Sequence, residues 1–352
     1  MSYQKIVLKI GTNVITQENG RLDLPVMKAV ISQIAALKKR GVEIVVVSSG
    51  AMGAGRGLCT LPAKLNDIAK RQILAAVGQP ALMHEYLALF SGHQLLCAQV
   101  LATKEDFRDR GHYLNMRNCF EALLKENITP IVNENDVVSI DELMFTENDE
   151  LAGLIASMLS ADALLILTTV EGVMAEGALV PVVRRLKDVE KYITPEKSSF
   201  GRGGMLTKVR IAEKCSKLGI TTHIVNGKNP RCAIDVLESK PIGTVFQPEE
   251  KKASRIKQWI AQSEGREQGT ITVNAGAEML LRSPKKAVSL LPVGVTAVQG
   301  QFQKGELLKI ISEAKKVIGY GIAQYDATKA LETMGKKGKK ELIHYNYLFI
   351  QE

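Results

Sequence analysis

Tryptophan occurs once in these 352 residues, and aromatic residues together make up only 5%. The few aromatics near the C-terminus are not interleaved with basic residues, as stacking platforms for single-stranded nucleic acid require. The five cysteines, Cys59, Cys97, Cys119, Cys215 and Cys232, are scattered and form no CxxC pair. That excludes a patterned zinc site or a disulfide framework and suits a reducing compartment, so a cytoplasmic location is expected. The five histidines are equally dispersed, and no metal-ligating residues are assigned. No uninterrupted apolar run approaches the roughly 20 residues that cross a bilayer. No signal-peptide pattern follows Met1 to Lys5, so no membrane role is expected. A GxxxxGK[ST] loop is missing, and Gly53-Ala54-Gly55 does not complete GxGxxG. A P-loop enzyme and a dinucleotide dehydrogenase both lose support.

What remains is the balance of a folded chain, 45% hydrophobic and 24% charged, long enough for two domains. Net charge is +9, with a local excess in Lys336-Lys337-Gly338-Lys339-Lys340. That stretch reads equally well as an exposed loop or as a patch for an anionic partner.

Up to about residue 245, short apolar runs alternate with amphipathic stretches. Ile6 to Ile10, Val42 to Val47, Gln94 to Leu101, Ile128 to Val132, Ala163 to Leu167 and Ile220 to Val225 read as strands covered on both faces. Between them lie helical patterns, including Val26 to Leu37, Asp67 to Phe90, Tyr113 to Lys125, Leu151 to Leu159 and Leu206 to Leu218. The expectation is an α/β fold, a mostly parallel sheet sandwiched by helices. The pattern changes after Gln247, where a polar stretch and a short helix carrying Trp259 precede turn-rich strands. Those strands, Thr270 to Val273, Gly294 to Val298, Leu307 to Ile311 and Val317 to Ala323, predict a small β-barrel-like domain. The expected division is 1–250 for the first domain, 251–268 for a linker and 269–352 for the second.

Ligands of open α/β sheets bind beyond the carboxyl ends of the strands. Four strands here run into small or polar residues: Gly11-Thr12-Asn13, Ser48-Ser49-Gly50-Ala51, Asn133-Glu134-Asn135-Asp136 and Thr168-Thr169. Lys9 lies inside an apolar strand, where an unpaired ammonium is costly. It is either a snorkelling lysine or a positive charge aimed at phosphate oxygens. Asn133 to Asp136 also fits an Asx turn, and Asn148-Asp149 fits a helix cap. Gly201-Arg202-Gly203-Gly204 opens a helix whose first turn holds Thr207 and Lys208, an arrangement suited to phosphate.

Together these segments resemble the amino acid kinase family. The matching runs are Val7 to Thr12, Val47 to Ala51, Gln72 to Gln79, Pro130 to Asp136, Asn148-Asp149 and Gly203 to Lys208. The tail, through Ser289 to Gly294 and Gly300 to Glu306, is similar to the PUA fold. Within the family the resemblance implies ATP-dependent phosphorylation of the γ-carboxylate of L-glutamate, the first step of proline synthesis, with ATP and Mg2+. It implies catalytic roles for Lys9 and Lys208 beside the transferred group and for Asp149 between them. It implies glutamate binding by Ser49, Gly50, Ala51, Asp136 and Asn148. Nucleotide contacts are implied for Thr168, Thr169, Arg202, Gly203, Gly204, Met205, Leu206, Thr207 and Lys208. Feedback by proline, homo-oligomerisation, coupling to glutamyl phosphate reductase and RNA contact through the tail are further implications. The chain departs from the family pattern on the nucleotide side, where Thr169 replaces an aspartate and Arg202 a threonine. The readings in competition are another acceptor within the family and an RNA-binding protein built on a kinase fold.

Overall fold

The computed structural model describes residues 3–62, 64–107, 110–138, 148–193, 204–248, 267–283 and 288–351. The chain divides into two compact units, residues 1–252 and 253–352.

The first unit is built on an eight-stranded sheet. Its strands are β1 (Lys5–Ile10), β2 (Glu43–Ser48), β3 (Cys97–Ala102), β4 (Thr129–Glu134), β5 (Ala163–Thr168), β8 (Val182–Val183), β9 (Thr221–Asn226) and β10 (Thr244–Phe246). Two short strands, β6 (Met174–Ala175) and β7 (Ala178–Leu179), form a separate ribbon. The order is β3-β4-β2-β1-β5-β9-β10-β8. The first six strands in that order pair in parallel, β10 pairs antiparallel with β9, and β8 pairs parallel with β10. The expected mostly parallel sheet is therefore present, and the carboxyl ends of six strands share one edge.

β1 lies between β2 and β5, and its apolar run has no polar alternation because both faces are covered. On one face Ile6, Leu8 and Ile10 pack with α2 (Leu24–Lys39), α4 (Asp67–Ser91) and α8 (Cys232–Leu237). On the other, β1 and β2 meet α6 (Asn148–Met158), which in turn packs on α7 (Met205–Lys217). The other α-helices of this unit among the described residues are α1 (Thr12–Ile15), α3 (Ala51–Leu58) and α5 (Arg110–Lys125). The amphipathic reading of Val26 to Leu37 is matched by burial of Met27, Val30, Ile31, Ile34 and Leu37. Asp23 caps this helix by accepting from the Val26 amide, and Gly41 follows its end at φ 82°.

Helix α4 spans 25 residues with a mean hydropathy of 1.2 over its most apolar window, so by length and composition alone it is able to cross a bilayer. Core helices pass the same test. Here Leu74, Leu82, Met83, Tyr86 and Phe90 are buried, and the helix packs against α2 and α3. The α3–α4 crossing is set by glycines. A Cβ on Gly78 would overlap the carbonyl of Ala51 and the amide of Gly55, so the two backbones touch where any side chain would separate them. Gly50 starts α3 at φ 109°, a conformation that glycine adopts without strain.

The second unit holds a five-stranded sheet of β11 (Gly269–Val273), β12 (Val295–Gly300), β13 (Leu307–Ser312), β14 (Val317–Ala323) and β15 (Ile343–Ile350). Its order is β12-β11-β13-β14-β15, with β11 and β13 parallel and the other pairs antiparallel. Ile271, Phe302, Leu308, Ile310, Ile318 and Ile343 fill its core. Two short helices, Ala275–Leu281 and Ala327–Thr333, accompany the sheet. Neither they nor β15 were anticipated. The sequence-predicted helix at Trp259 lies outside the described residues.

Because the α3–α4 contact is backbone on backbone, Gly78→Ala is expected to destabilise the protein by at least about 1–3 kcal/mol. Denaturant unfolding would measure it, and an unchanged midpoint would show that the crossing tolerates a methyl group.

Candidate active site

Three of the sequence-predicted residues meet at the strand-end edge. Asp149, in the first turn of α6, has no solvent exposure; Lys9 Nζ lies 2.7 Å from one of its oxygens and Lys208 Nζ 2.9 Å from the other. The lysine side chains are themselves only 6% and 12% exposed. Lys9 reaches this point because odd-numbered residues of β1 face α6, and Lys208 because it is in the first turn of α7. Lys9 is therefore an ion-paired lysine and not a snorkelling one. One carboxylate between two ammonium groups leaves the cluster with a formal excess of positive charge. Added to it are the α7 N-terminus, opened by Gly204 with no side-chain cap, and Gly11 at the end of β1. A Cβ on Gly11 would sit 3.6 Å from Lys9 Nζ. The arrangement suits a multiply charged anion.

Beside it is a hydrogen-bonded chain. Asn148 Nδ2 donates to Ser49 Oγ and to Asn133 Oδ1, each at 2.9 Å, and to the Ser48 carbonyl at 3.4 Å. Asn133 Nδ2 donates to Gln79 Oε1 at 2.9 Å. Ser48 Oγ is 2.7 Å from the buried Tyr86 hydroxyl. The chain thus ties β2, β4, α4 and the start of α6. Asn148 Oδ1 accepts no hydrogen bond among the described residues, so a capping role for this side chain is not seen there.

A cavity of about 380 Å³ opens next to this chain, lined among others by Ala51, Gln79, Glu134, Asn135 and Asp136. Its size falls in the roughly 300–1,000 Å³ range of small-molecule sites. Asp136 is 10% exposed, with Arg71 Nη2 at 3.5 Å. Burial raises its pKa above the ordinary 3.8, and the Arg71 guanidinium opposes that shift. The loop is held further by Gln72 Nε2 donating to the Val137 carbonyl at 2.9 Å and by the Asn135 amide donating to Ala102.

The other predicted residues are less convergent. Gly50 and Ala51 form the turn into α3, and Ala51 lines the cavity. Thr168 ends β5, with its carbonyl accepting from the Gly227 amide at 2.8 Å, and Thr169 is exposed. Met205, Leu206 and Thr207 share the first turn of α7 with Lys208. Arg202 and Gly203 lie outside the described residues. Arg71, Gln79 and Asn133 carry geometry that the sequence reading did not assign to them. Gln79 and Asn133 stood in matched runs, but nothing in their spacing showed that a helix and a strand would bring them together. Elsewhere, burial pushes His223 down to about 4 and Cys215 up to about 12. The one stays neutral and the other protonated near neutral pH.

Residues 4–226 match the model of the amino acid kinase family, and residues 269–344 match that of the PUA domain. The chain belongs to the amino acid kinase family. This kinase is 52% identical to a protein named glutamate 5-kinase from Chlorobaculum tepidum, across 99% of this chain and 98% of that one. It is 44% identical to one of the same name from Bacteroides thetaiotaomicron, across 99% of both chains. A third of that name, from Myxococcus xanthus, is 39% identical across 99% of this chain and 94% of its own. The two-domain arrangement of the kinase is thus shared along its length.

Removing the central carboxylate of this kinase would leave two buried ammonium groups facing each other. Asp149→Ala is expected to cost about 3–5 kcal/mol of folding stability, measured by denaturant unfolding. A loss below about 1 kcal/mol would mean that water already screens the three charges.

Proposed function

We propose that this kinase is a glutamate 5-kinase, transferring the γ-phosphoryl group of ATP to the side-chain carboxylate of L-glutamate. The observation that carries the reading is two ammonium groups held on one buried carboxylate at the strand-end edge, beside a cavity containing Asp136. The names of its relatives support the same substrate.

A γ-carboxylate is already ionised at neutral pH, so the reaction needs positioning and charge neutralisation more than a general base. A carboxylate oxygen bonds to the γ-phosphorus as the bond to the β,γ-bridging oxygen breaks, giving γ-glutamyl phosphate and ADP. Lys9 and Lys208 neutralise the equatorial oxygens of the moving group, and Asp149 keeps both charged and aimed. Gly204 to Lys208 at the α7 N-terminus receive nucleotide phosphates. The residues here fit an anion rather than a bare cation, because Asp149 is already committed to two lysines. Magnesium, when bound, supplies charge neutralisation on the phosphates that carry it. Asp136 takes the substrate ammonium. Asn148 holds the glutamate side of the site in order by donating from Nδ2 to Ser49 Oγ and Asn133 Oδ1. Proline as feedback inhibitor, self-association and hand-over of the labile product to a reductase complete the proposal. RNA is a second partner class, favoured by the exposed lysines of Lys336–Lys340.

Magnesium-ATP turnover with L-glutamate, trapped by hydroxylamine, should yield glutamate-dependent hydroxamate. Product only from aspartate or N-acetylglutamate would overturn the substrate. Lys9→Ala and Lys208→Ala should each lower kcat by about a hundredfold or more, and near-normal turnover would remove that lysine from the mechanism. Asp136 must be ionised to hold an ammonium, and its pKa is raised. The KM for glutamate should therefore climb on acidification at a higher pH than an ordinary carboxylate predicts, and Asp136→Asn should flatten that limb. An unchanged profile in the variant would reduce Asp136 to a turn residue.

A further inference from the structure

We infer that Gln79 is a specificity-determining residue of the cavity, its side-chain amide locked with Nε2 available to the α-carboxylate of the substrate. The inference deepens the glutamate 5-kinase reading and rests on it. The polarity of the Gln79 amide follows from a backbone group that has no choice of role. The Glu134 amide can only donate, and it donates to Asn133 Oδ1 at 2.9 Å. That atom of Asn133 is therefore oxygen, which Asn148 Nδ2 also uses as an acceptor at 2.9 Å. Asn148 is fixed in turn by the Ser48 carbonyl, which can only accept. The other end of the Asn133 amide must then be its donor, and it lies 2.9 Å from Gln79. The Gln79 atom there is oxygen, and the opposite end of that amide is the NH2 group.

Gln79 lines the cavity, and its Nε2 makes no hydrogen bond among the described residues. The same cavity holds Asp136 and Glu134, whose carboxylates suit an ammonium. An α-amino acid brings an ammonium and a carboxylate on one carbon, so a pocket with acids needs a donor close by. Gln79 supplies one without adding a charge that would pair with Asp136. Because the chain through Asn133 and Asn148 holds its orientation before substrate arrives, little reorganisation accompanies binding. The γ-carboxylate is left for the Lys9–Asp149–Lys208 end.

Gln79→Glu and Gln79→Leu separate this role from packing. Glutamate at position 79 keeps an oxygen facing Asn133 Nδ2 and replaces the donor by a second oxygen. Leucine loses both. With a donor to a carboxylate, the KM for L-glutamate should rise by about tenfold or more in Gln79→Glu and less in Gln79→Leu, with kcat within about threefold and the KM for ATP unchanged. A residue that only tethers Asn133 predicts the opposite order, since the glutamate variant preserves the tether, and that order would overturn the inference. Glutamate KM values within twofold of wild type in both variants would also overturn it. Should Gln79→Glu fail to fold, the leucine variant decides when it is assayed with L-glutamate and with 4-aminobutyrate, which lacks the α-carboxylate: a kcat/KM penalty on glutamate that is absent with 4-aminobutyrate supports the role, and an equal penalty on both removes it. Absence of glutamate turnover in the wild-type protein would instead remove the kinase assignment itself, and this inference with it.

Discussion

A carboxylate with no solvent exposure, bonded on one side to a lysine from β1 and on the other to a lysine from α7, is costly to keep ionised when either partner is lost. Taking an ion out of water costs several kcal/mol even after relaxation, and close opposite charges are what offset it. Lys9, Asp149 and Lys208 are far apart along the chain, with β2, β3 and β4 between the first two and β5 to β8 between the last two. They meet because β1 is central, α6 packs on it and α7 packs on α6. The parallel sheet thus does more than support the site. Its connectivity brings the amino-terminal turns of two helices to the edge where the strands end, and positive charge is concentrated there.

The chain of amides beside the bridge depends on a different constraint, the contact of α3 with α4. Gly78 lets the helices touch, and Gln79 follows it directly, so the backbone approach that admits no Cβ also sets the height of the next side chain. From there Asn133 and Asn148 carry the order to the residue preceding Asp149. Packing, hydrogen-bond polarity and ionic geometry are therefore linked in one short path. A change in the helix crossing would be felt first in the cavity and only then at the ion bridge.

The sheet was legible in the sequence because a parallel strand covered on both faces leaves an unbroken apolar run, as Ile6 to Ile10 does. Helix α2 was legible for the complementary reason, a stripe at helical spacing ended by glycine. β8 and β10 were not, since two or three residues are too few to establish a period, and nothing in the pattern marked the antiparallel pairing of β10 with β9. In the second unit β15 was missed although it runs Ile343–Ile350, because its histidine and tyrosines blur the apolar alternation. At the site, Lys9 stood out as a charge inside an apolar strand and Lys208 as a cation in a glycine-opened first turn. Asp149 alone looked like an ordinary helix-start acid. Its role depends on total burial, which no local pattern announces. Arg71 and Gln79 were invisible as functional groups because each acts on a partner contributed by the strand-end loop or strand of β4, more than fifty residues away.

The distribution of charge argues for how one substrate would be oriented. The ion bridge offers a positive surplus and the cavity offers acids, with Arg71 holding the Asp136 carboxylate in place. A dicarboxylic amino acid placed end for end would set its ammonium against the lysines and its γ-carboxylate against Asp136 and Glu134, which is unfavourable at both ends. The productive orientation is favourable at both. Specificity of this kind depends as much on penalising the reversed and shortened molecules as on attraction to the right one. It also requires that Asp136 stay ionised although burial opposes it, which gives Arg71 its place in the design: it partly compensates the desolvation of Asp136 while pairing too loosely, at 3.5 Å, to satisfy the carboxylate by itself. Among the described residues Arg71 alone does not satisfy this acid, which leaves the small cavity suited to a cation, and on the proposed reading that cation is the substrate ammonium.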